Sequence, residues 1–203
     1  MIGPRLAAQA CQMAYDRTDI EVGEAKALLI NHVGHDELTV AFQGTHDIGQ
    51  ALEDLDCRPR FVAGIGYCHH GFAVLAEAVY PRIHDLAKAS GVISLTGHSL
   101  GGAIALLVGA MLVRDQFWPD EVITFGAPRV SVGPAVGRLF KRTGLSPSLY
   151  RFGVDIVPTL PPIFAHPAPL IQIGTPSDGM DAGERDHGVE NYVTALANLP
   201  EGG

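Results

Sequence analysis

The chain has 203 residues, of which 47% are hydrophobic and 18% charged, and its formal net charge is −8. That length and balance describe one soluble globular domain with a sizeable core. The acidic excess argues against nonspecific nucleic-acid binding and against anionic membrane surfaces, and the longest apolar run, residues 103–113, is too short to span a bilayer.

In chain order, Leu6, Ala10, Met13 and Ala14 recur at helical spacing and predict an amphipathic helix over 5–15. Gln9 and Gln12 interrupt its apolar run, so no secretory signal is evident and the default expectation is a cytoplasmic protein. Residues 26–33 and 38–43 read as strands, with 34–37 as a hairpin turn. The second strand ends in Phe42-Gln43-Gly44-Thr45. The Thr45 amide at such an end can point inward as an oxyanion donor, although Gly-Thr alone reads as a plain turn. Over 46–56, Ile48, Ala51, Leu52 and Leu55 take one face and acidic residues the other. This pattern fits a short fixed helix or a mobile lid. Residues 64–71 read as a loop or distorted strand. Residues 72–89 read as a helix, bent at Pro81, burying Val74, Leu75, Ala78, Val79, Ile83 and Leu86.

The most informative stretch is 92–113. A β-branched run leads into Gly97-His98-Ser99-Leu100-Gly101, and a long apolar helix pattern follows. This is a G-x-S-x-G nucleophile elbow in its proper strand–turn–helix context. The turn holds the Ser99 hydroxyl above the sheet edge and strains the serine backbone. Small neighbours let strand and helix pass closely. The Leu100 amide at the helix start then points where an oxyanion would develop. The plainer alternative is a buried strand–helix unit whose glycines only ease packing.

Residues 121–125 form the next strand. Ser131 is expected to cap a helix running to Arg142, closed by Gly144. The strand over 148–154 leaves Asp155 at its carboxyl end, where functional side chains of open α/β sheets collect. A proline-rich loop over 158–169, a short strand over 169–173 and a polar stretch over 175–186 lead to His187. That residue opens a last helix with Tyr192, Val193, Leu196 and Leu199 as apolar contacts.

The serine needs a base, and the base needs a carboxylate to fix its tautomer. His187 and His166 follow Ser99; His187, after a polar loop, is the better placed, and His166 sits among prolines. Asp155 at a strand end is favoured over Asp178, Asp181 and Asp186, whose plain reading is solvated charge. Asp115 and Asp120 belong to the other end of the sheet. Cys11, Cys57 and Cys68 form no paired framework, although one Cys57–Cys68 bridge fits. No metal-ligand spacing occurs, and no cofactor or metal is expected.

Phe42-Gln43-Gly44-Thr45, His69-His70-Gly71-Phe72, the stretch Thr96-Gly97-His98-Ser99-Leu100-Gly101-Gly102-Ala103, Phe125-Gly126-Ala127-Pro128-Arg129-Val130, Asp155-Ile156-Val157-Pro158 and a late His187 occur in that order. Together they resemble the class 3 lipase family, which includes fungal triacylglycerol lipases and feruloyl esterases, over about residues 5–199. The resemblance implies an α/β-hydrolase fold: a mixed, mostly parallel central sheet flanked by helices, as one domain over 1–203. It implies carboxylic-ester hydrolysis with Ser99 as nucleophile, Asp155 as acid, His187 as base and the amides of Thr45 and Leu100 as oxyanion donors. It also favours the lid reading of 46–56. The implied partner is a small-molecule or lipid ester, with no nucleic acid and at most transient contact with lipid interfaces; oligomeric state is left open. The alternatives are a short-chain or feruloyl-type esterase, a phospholipase, a serine peptidase, or an inactive hydrolase-fold binding module.

Overall fold

The computed structural model describes residues 2–32, 36–45 and 56–199. The elements run α1 (Gly3–Met13), β1 (Ile20–Val22), β2 (Ala25–His32), β3 (Glu37–Phe42), β4 (Pro59–Val62), β5 (Gly66–His69), α2 (His70–Ala89), β6 (Val92–His98) and α3 (Leu100–Arg114). They continue with β7 (Glu121–Phe125), α4 (Ala135–Arg142), β8 (Ser148–Phe152), a 3₁₀ turn (Val157–Thr159), β9 (Leu170–Ile173), α5 (Ala182–Arg185) and α6 (Val189–Ala197).

Seven strands form one sheet in the order β1-β2-β3-β6-β7-β8-β9. β1–β2 and β2–β3 are antiparallel, and every pairing from β3 to β9 is parallel. The mixed, mostly parallel sheet expected from the sequence is therefore present. Parallel strands are covered on both faces, which explains their near-continuous apolar runs. One core gathers α2, α3 and α4 on one face; the other packs α1 and α6 on the opposite face. α3 is apolar all round, and every residue from Leu100 to Val113 is buried between the sheet and its neighbouring helices.

This topology fixes where the chemistry lies. Phe42, His98, Phe125 and Phe152 end four neighbouring parallel strands. The residues that follow them, Gly44 and Thr45, Ser99, Gly126 and Asp155, therefore emerge at one end of the sheet.

Several expectations change. The stretch read as a loop or distorted strand over 64–71 contains a strand, β5, which pairs antiparallel with β4 as a two-stranded ribbon outside the main sheet. α2 buries Ala73, Ala76 and Ala87 with Phe72, Val79 and Ile83, whereas Val74 and Ala78 are exposed. The small inward side chains let α2 lie against α3, so the bulky apolar residues mark its inner face only in part. Ser131 caps no helix. Its backbone bridges Cys68 and Ala165, its hydroxyl donates to the Gly133 carbonyl at 3.1 Å, and α4 starts at Ala135. The last helix starts at Val189, two residues after His187, and Leu199 is exposed. All three cysteines are free, with Cys57 exposed and Cys11 and Cys68 buried, so the Cys57–Cys68 bridge is not formed. Except for Asp56, the segment 46–56 lies outside the described residues, as do Gly34 and His35 of the 34–37 turn.

Candidate active site

Ser99 joins β6 to α3 with φ 56° and ψ −128°, a region that L-residues avoid. Such a conformation costs on the order of 1–3 kcal/mol and persists only where the surroundings impose it. Here they do. The Ser99 amide donates to the Phe125 carbonyl at 2.9 Å, and the Ser99 carbonyl accepts from the Gly102 amide at 2.9 Å. The glycines of the elbow are a steric requirement. A Cβ on Gly97 would run into the backbone of Gly101, and one on Gly101 into the carbonyl of Phe42. Leu100 opens α3, so its amide is among the donors that no intrahelical acceptor reaches. A Cβ on Gly44 would lie 3.2 Å from Ser99 Cβ, so the chain just after β3 passes close to the serine, and half-buried Thr45 is the next residue.

His187 and Asp155 come together although 32 residues separate them. His187 Nδ1 donates to Asp155 Oδ2 at 2.9 Å. The other carboxylate oxygen, Oδ1, accepts from the Val157 amide at 2.9 Å, which is possible because the chain turns into the 3₁₀ segment directly after Asp155. Asp155 is fully buried and His187 nearly so. A neutral imidazole that donates through Nδ1 carries its lone pair on Nε2, the nitrogen a base uses. Among the described residues, His187 Nε2 and Ser99 Oγ are both buried and without a hydrogen-bond partner. Gly126, at φ 59°, makes room: a Cβ there would stand 2.8 Å from Asp155 Oδ2 and 3.0 Å from the His187 ring.

The rejected alternatives stand elsewhere. His166 Nε2 donates to the Pro158 carbonyl at 2.7 Å, inside the proline-rich loop. Asp178 and Asp181 are exposed, and Asp181 pairs with Arg185 at 3.3 Å. Asp115 pairs with Arg114 at 2.7 Å at the far end of α3. Asp186 is not solvated charge. It is fully buried, accepting from the Val154 amide at 2.8 Å and the Ser177 amide at 3.2 Å, and so anchors the residue before His187.

Three further side chains join the site. Tyr192, read from sequence as an apolar contact, donates its hydroxyl to Asp155 Oδ2 at 2.5 Å. Burial, and then the charge of Asp155, hold that phenol well above its ordinary pKa, so it stays a donor. A buried tyrosine five residues after the histidine was the available signal, because buried hydroxyls find partners. His98 and Tyr15 were unassigned in sequence. Tyr15 Oη lies 2.8 Å from His98 Nδ1, and His98 Nε2 lies 2.7 Å from the His187 carbonyl. Burial, and then neighbouring His187, push the His98 pKa down to about 3.

Among the described residues, no group of three His, Cys, Asp or Glu side chains stands where it could hold a metal ion. A cavity of about 550 Å³ lined by Val92, Trp118, Glu121 and Ser148 opens at the amino ends of β6–β8, across the sheet from Ser99.

The class 3 lipase model matches residues 39–165. This chain belongs to the class 3 lipase family. It is similar to a secreted mono- and diacylglycerol lipase of Fusarium solani, 32% identical over 147 residues that cover 66% of this chain and 43% of that protein. A second such relative, a secreted mono- and diacylglycerol lipase of Malassezia restricta, is 30% identical over 162 residues, 69% of this chain and 53% of that one. Among solved structures it resembles a triacylglycerol lipase described as having a serine-protease triad as its catalytic centre. That likeness has TM-score 0.62 and 26% identity, covering 74% of this chain and 62% of the other. The chain thus spans about half the length of the curated relatives it matches. The fold is that of these lipases, the α/β-hydrolase fold. The cytoplasmic expectation is overturned: it rested on the lack of a leader pattern, whereas both named relatives are secreted and point to an extracellular place.

Proposed function

We propose that this class 3 lipase is a serine ester hydrolase acting on acylglycerols or similar lipid esters. The observation that carries the reading is the His187–Asp155 hydrogen bond beside a serine held at positive φ on a strand-to-helix turn. A hydroxyl in that conformation is poor packing material and a good nucleophile position.

In the proposed reaction, Ser99 Oγ attacks the ester carbonyl while His187 Nε2 takes its proton. The amides of Thr45 and Leu100 hold the tetrahedral oxyanion, a contribution on the order of 10²–10³ in rate per donor. Asp155 keeps the imidazole in the Nδ1–H tautomer and faces the imidazolium charge. The oxyanion collapses, the C–O bond to the alcohol breaks, and the alcohol leaves with the proton from His187. Water then attacks the acyl-serine, giving its proton to His187. The second collapse returns that proton to Ser99 Oγ and releases the acid. The two relatives named above as mono- and diacylglycerol lipases support the substrate class, with contact at a lipid interface being transient.

The test is hydrolysis of p-nitrophenyl esters from acetyl to palmitoyl, followed below and above the solubility limit of each ester. The expected result is turnover that vanishes in Ser99→Ala and rises once long-chain substrate aggregates. A preference for short soluble esters would assign an esterase instead. No turnover of any ester would contradict the proposal.

A further inference from the structure

His98 fills the variable position of the elbow motif, and nothing in the acyl-transfer steps uses it. Yet it is 4% exposed and makes hydrogen bonds from both ring nitrogens to two other parts of the chain. One partner, Tyr15, lies in the turn after α1; the other is the main chain of His187. The chemistry of these partners fixes every proton in the chain of bonds. The His187 carbonyl can only accept, so His98 Nε2 must be the donor. Burial keeps the ring neutral, with its pKa down at about 3, so Nδ1 carries a lone pair. The Tyr15 hydroxyl, held above its ordinary pKa by burial, must then donate to Nδ1. A single direction of donation results: Tyr15 to His98 to the carbonyl of His187.

We infer that His98 and Tyr15 are positioning residues that set where the His187 ring stands over Ser99; the inference rests on the triad proposed above. His187 is then held at three points. Asp155 holds its ring through Nδ1, Asp186 ties down the preceding residue through the Val154 and Ser177 amides, and His98 pins its carbonyl. The third point matters most for register, because His98 is bonded covalently to Ser99. The nucleophile and the backbone of its base are thereby coupled through one imidazole. The two rings confirm the closeness, with centroids 4.7 Å apart. The same bond directions exclude Tyr15 from donating to an oxyanion, although its hydroxyl reaches the space beside Gly44, next to Ser99.

A displacement of about 1 Å in a catalytic group costs on the order of 10² in rate. His98→Leu removes both bonds at similar volume. His98→Gln keeps an amide donor for the carbonyl and an oxygen acceptor for Tyr15. Tyr15→Phe removes the outer bond while leaving His98 bonded to the carbonyl, and is the variant that reports if His98→Leu does not fold. Active sites are counted with a fluorophosphonate, so kcat refers to competent protein only. The expected result on a soluble short-chain ester is a kcat lower by about 10²-fold in His98→Leu and less in Tyr15→Phe, with KM unchanged and partial recovery in His98→Gln. In wild type, ring ¹⁵N shifts should show His98 protonated on Nε2 and lone-paired on Nδ1. A folded His98→Leu or Tyr15→Phe with kcat within twofold of wild type, or a His98 protonated on Nδ1, overturns the inference. Wild type that neither turns over ester nor takes the label overturns the triad proposal itself, a different outcome.

Discussion

At the scale of single residues, the site depends on how Asp155 is surrounded. A carboxylate with no exposure is tolerable only when its oxygens are bonded, and here Val157, His187 and Tyr192 each donate to it. Tyr192→Phe deletes one of those donors without opening a large cavity. A hydrogen bond to a charged group contributes about 1.5–3 kcal/mol. For a chain of this size, the expected drop in Tm is roughly 3–10 °C. The kcat for ester hydrolysis should fall with it, because the carboxylate is left free to reorient. Calorimetry and ester kinetics on Tyr192→Phe check both, and an unchanged Tm would contradict the assigned bond. The turn at Ser99 and the place of Asp155 just beyond a strand were legible in the sequence because local pattern defines both, and His187 was singled out as a late histidine after a polar loop, although α6 begins only at Val189. Tyr192, His98 and Tyr15 were not. Their roles depend on partners 37, 89 and 83 residues away, and no periodicity encodes such a pairing.

At the scale of elements, the approach of α3 to β3 and β6 is what puts the serine above the sheet. Gly101 sits in the first turn of α3, where alanine would ordinarily favour a helix by about 1 kcal/mol. In this fold the new methyl would meet the carbonyl of Phe42, which is backbone and cannot rotate away. Gly101→Ala is therefore expected to destabilise by about 1–3 kcal/mol or more and to cut activity by tilting α3 away from Thr45. Chemical denaturation against wild type measures this, and a stabilised variant would contradict the packing. The long elements were legible for a plain reason: β2, β3, β6 and α3 are apolar runs long enough to stand out from the polar turns that bound them. β1 and β4 were not, being three and four residues long, and β4 is stabilised by its partner β5 rather than by its own pattern. The inner face of α2 was misread in part because helix packing selects small residues as well as large ones.

At the scale of the whole molecule, buried neutral histidines make the fold sensitive to acid. His98 is pushed down to about 3 and His69 to about 4, in both cases mainly by burial, against an ordinary value of 6.5. The folded chain declines protons that the unfolded chain accepts below 6.5. Their contribution is therefore complete above pH 6.5 and is lost as pH falls toward 4 for His69 and toward 3 for His98. Asp115, held at about 2 by Arg114, loses its contribution only below the ordinary carboxylate value of 3.8. Loss between pH 6.5 and 4 thus reports the histidines. His69 also caps α2, its Nδ1 accepting from the Phe72 amide at 3.4 Å, so protonation there removes the cap. His69→Phe should be less stable at pH 7 and show a shallower decline on acidification; melts at pH 7, 5.5 and 4.5 check this, and an unchanged slope would contradict it. The location was not legible, since nothing in the composition separates an extracellular from an intracellular domain of this kind, and the pointer away from the cytoplasm comes from the secreted relatives alone. The central claim is that Ser99 is a nucleophile activated by His187, and covalent labelling tests it most directly. The chain is treated with a fluorophosphonate and the modified peptide located by mass spectrometry, in wild type, Ser99→Ala, His187→Ala and Asp155→Asn. The account expects one label per chain, on Ser99, lost in Ser99→Ala and slowed by orders of magnitude in the other two. A label on another residue, or a rate unaffected by His187→Ala, would contradict it.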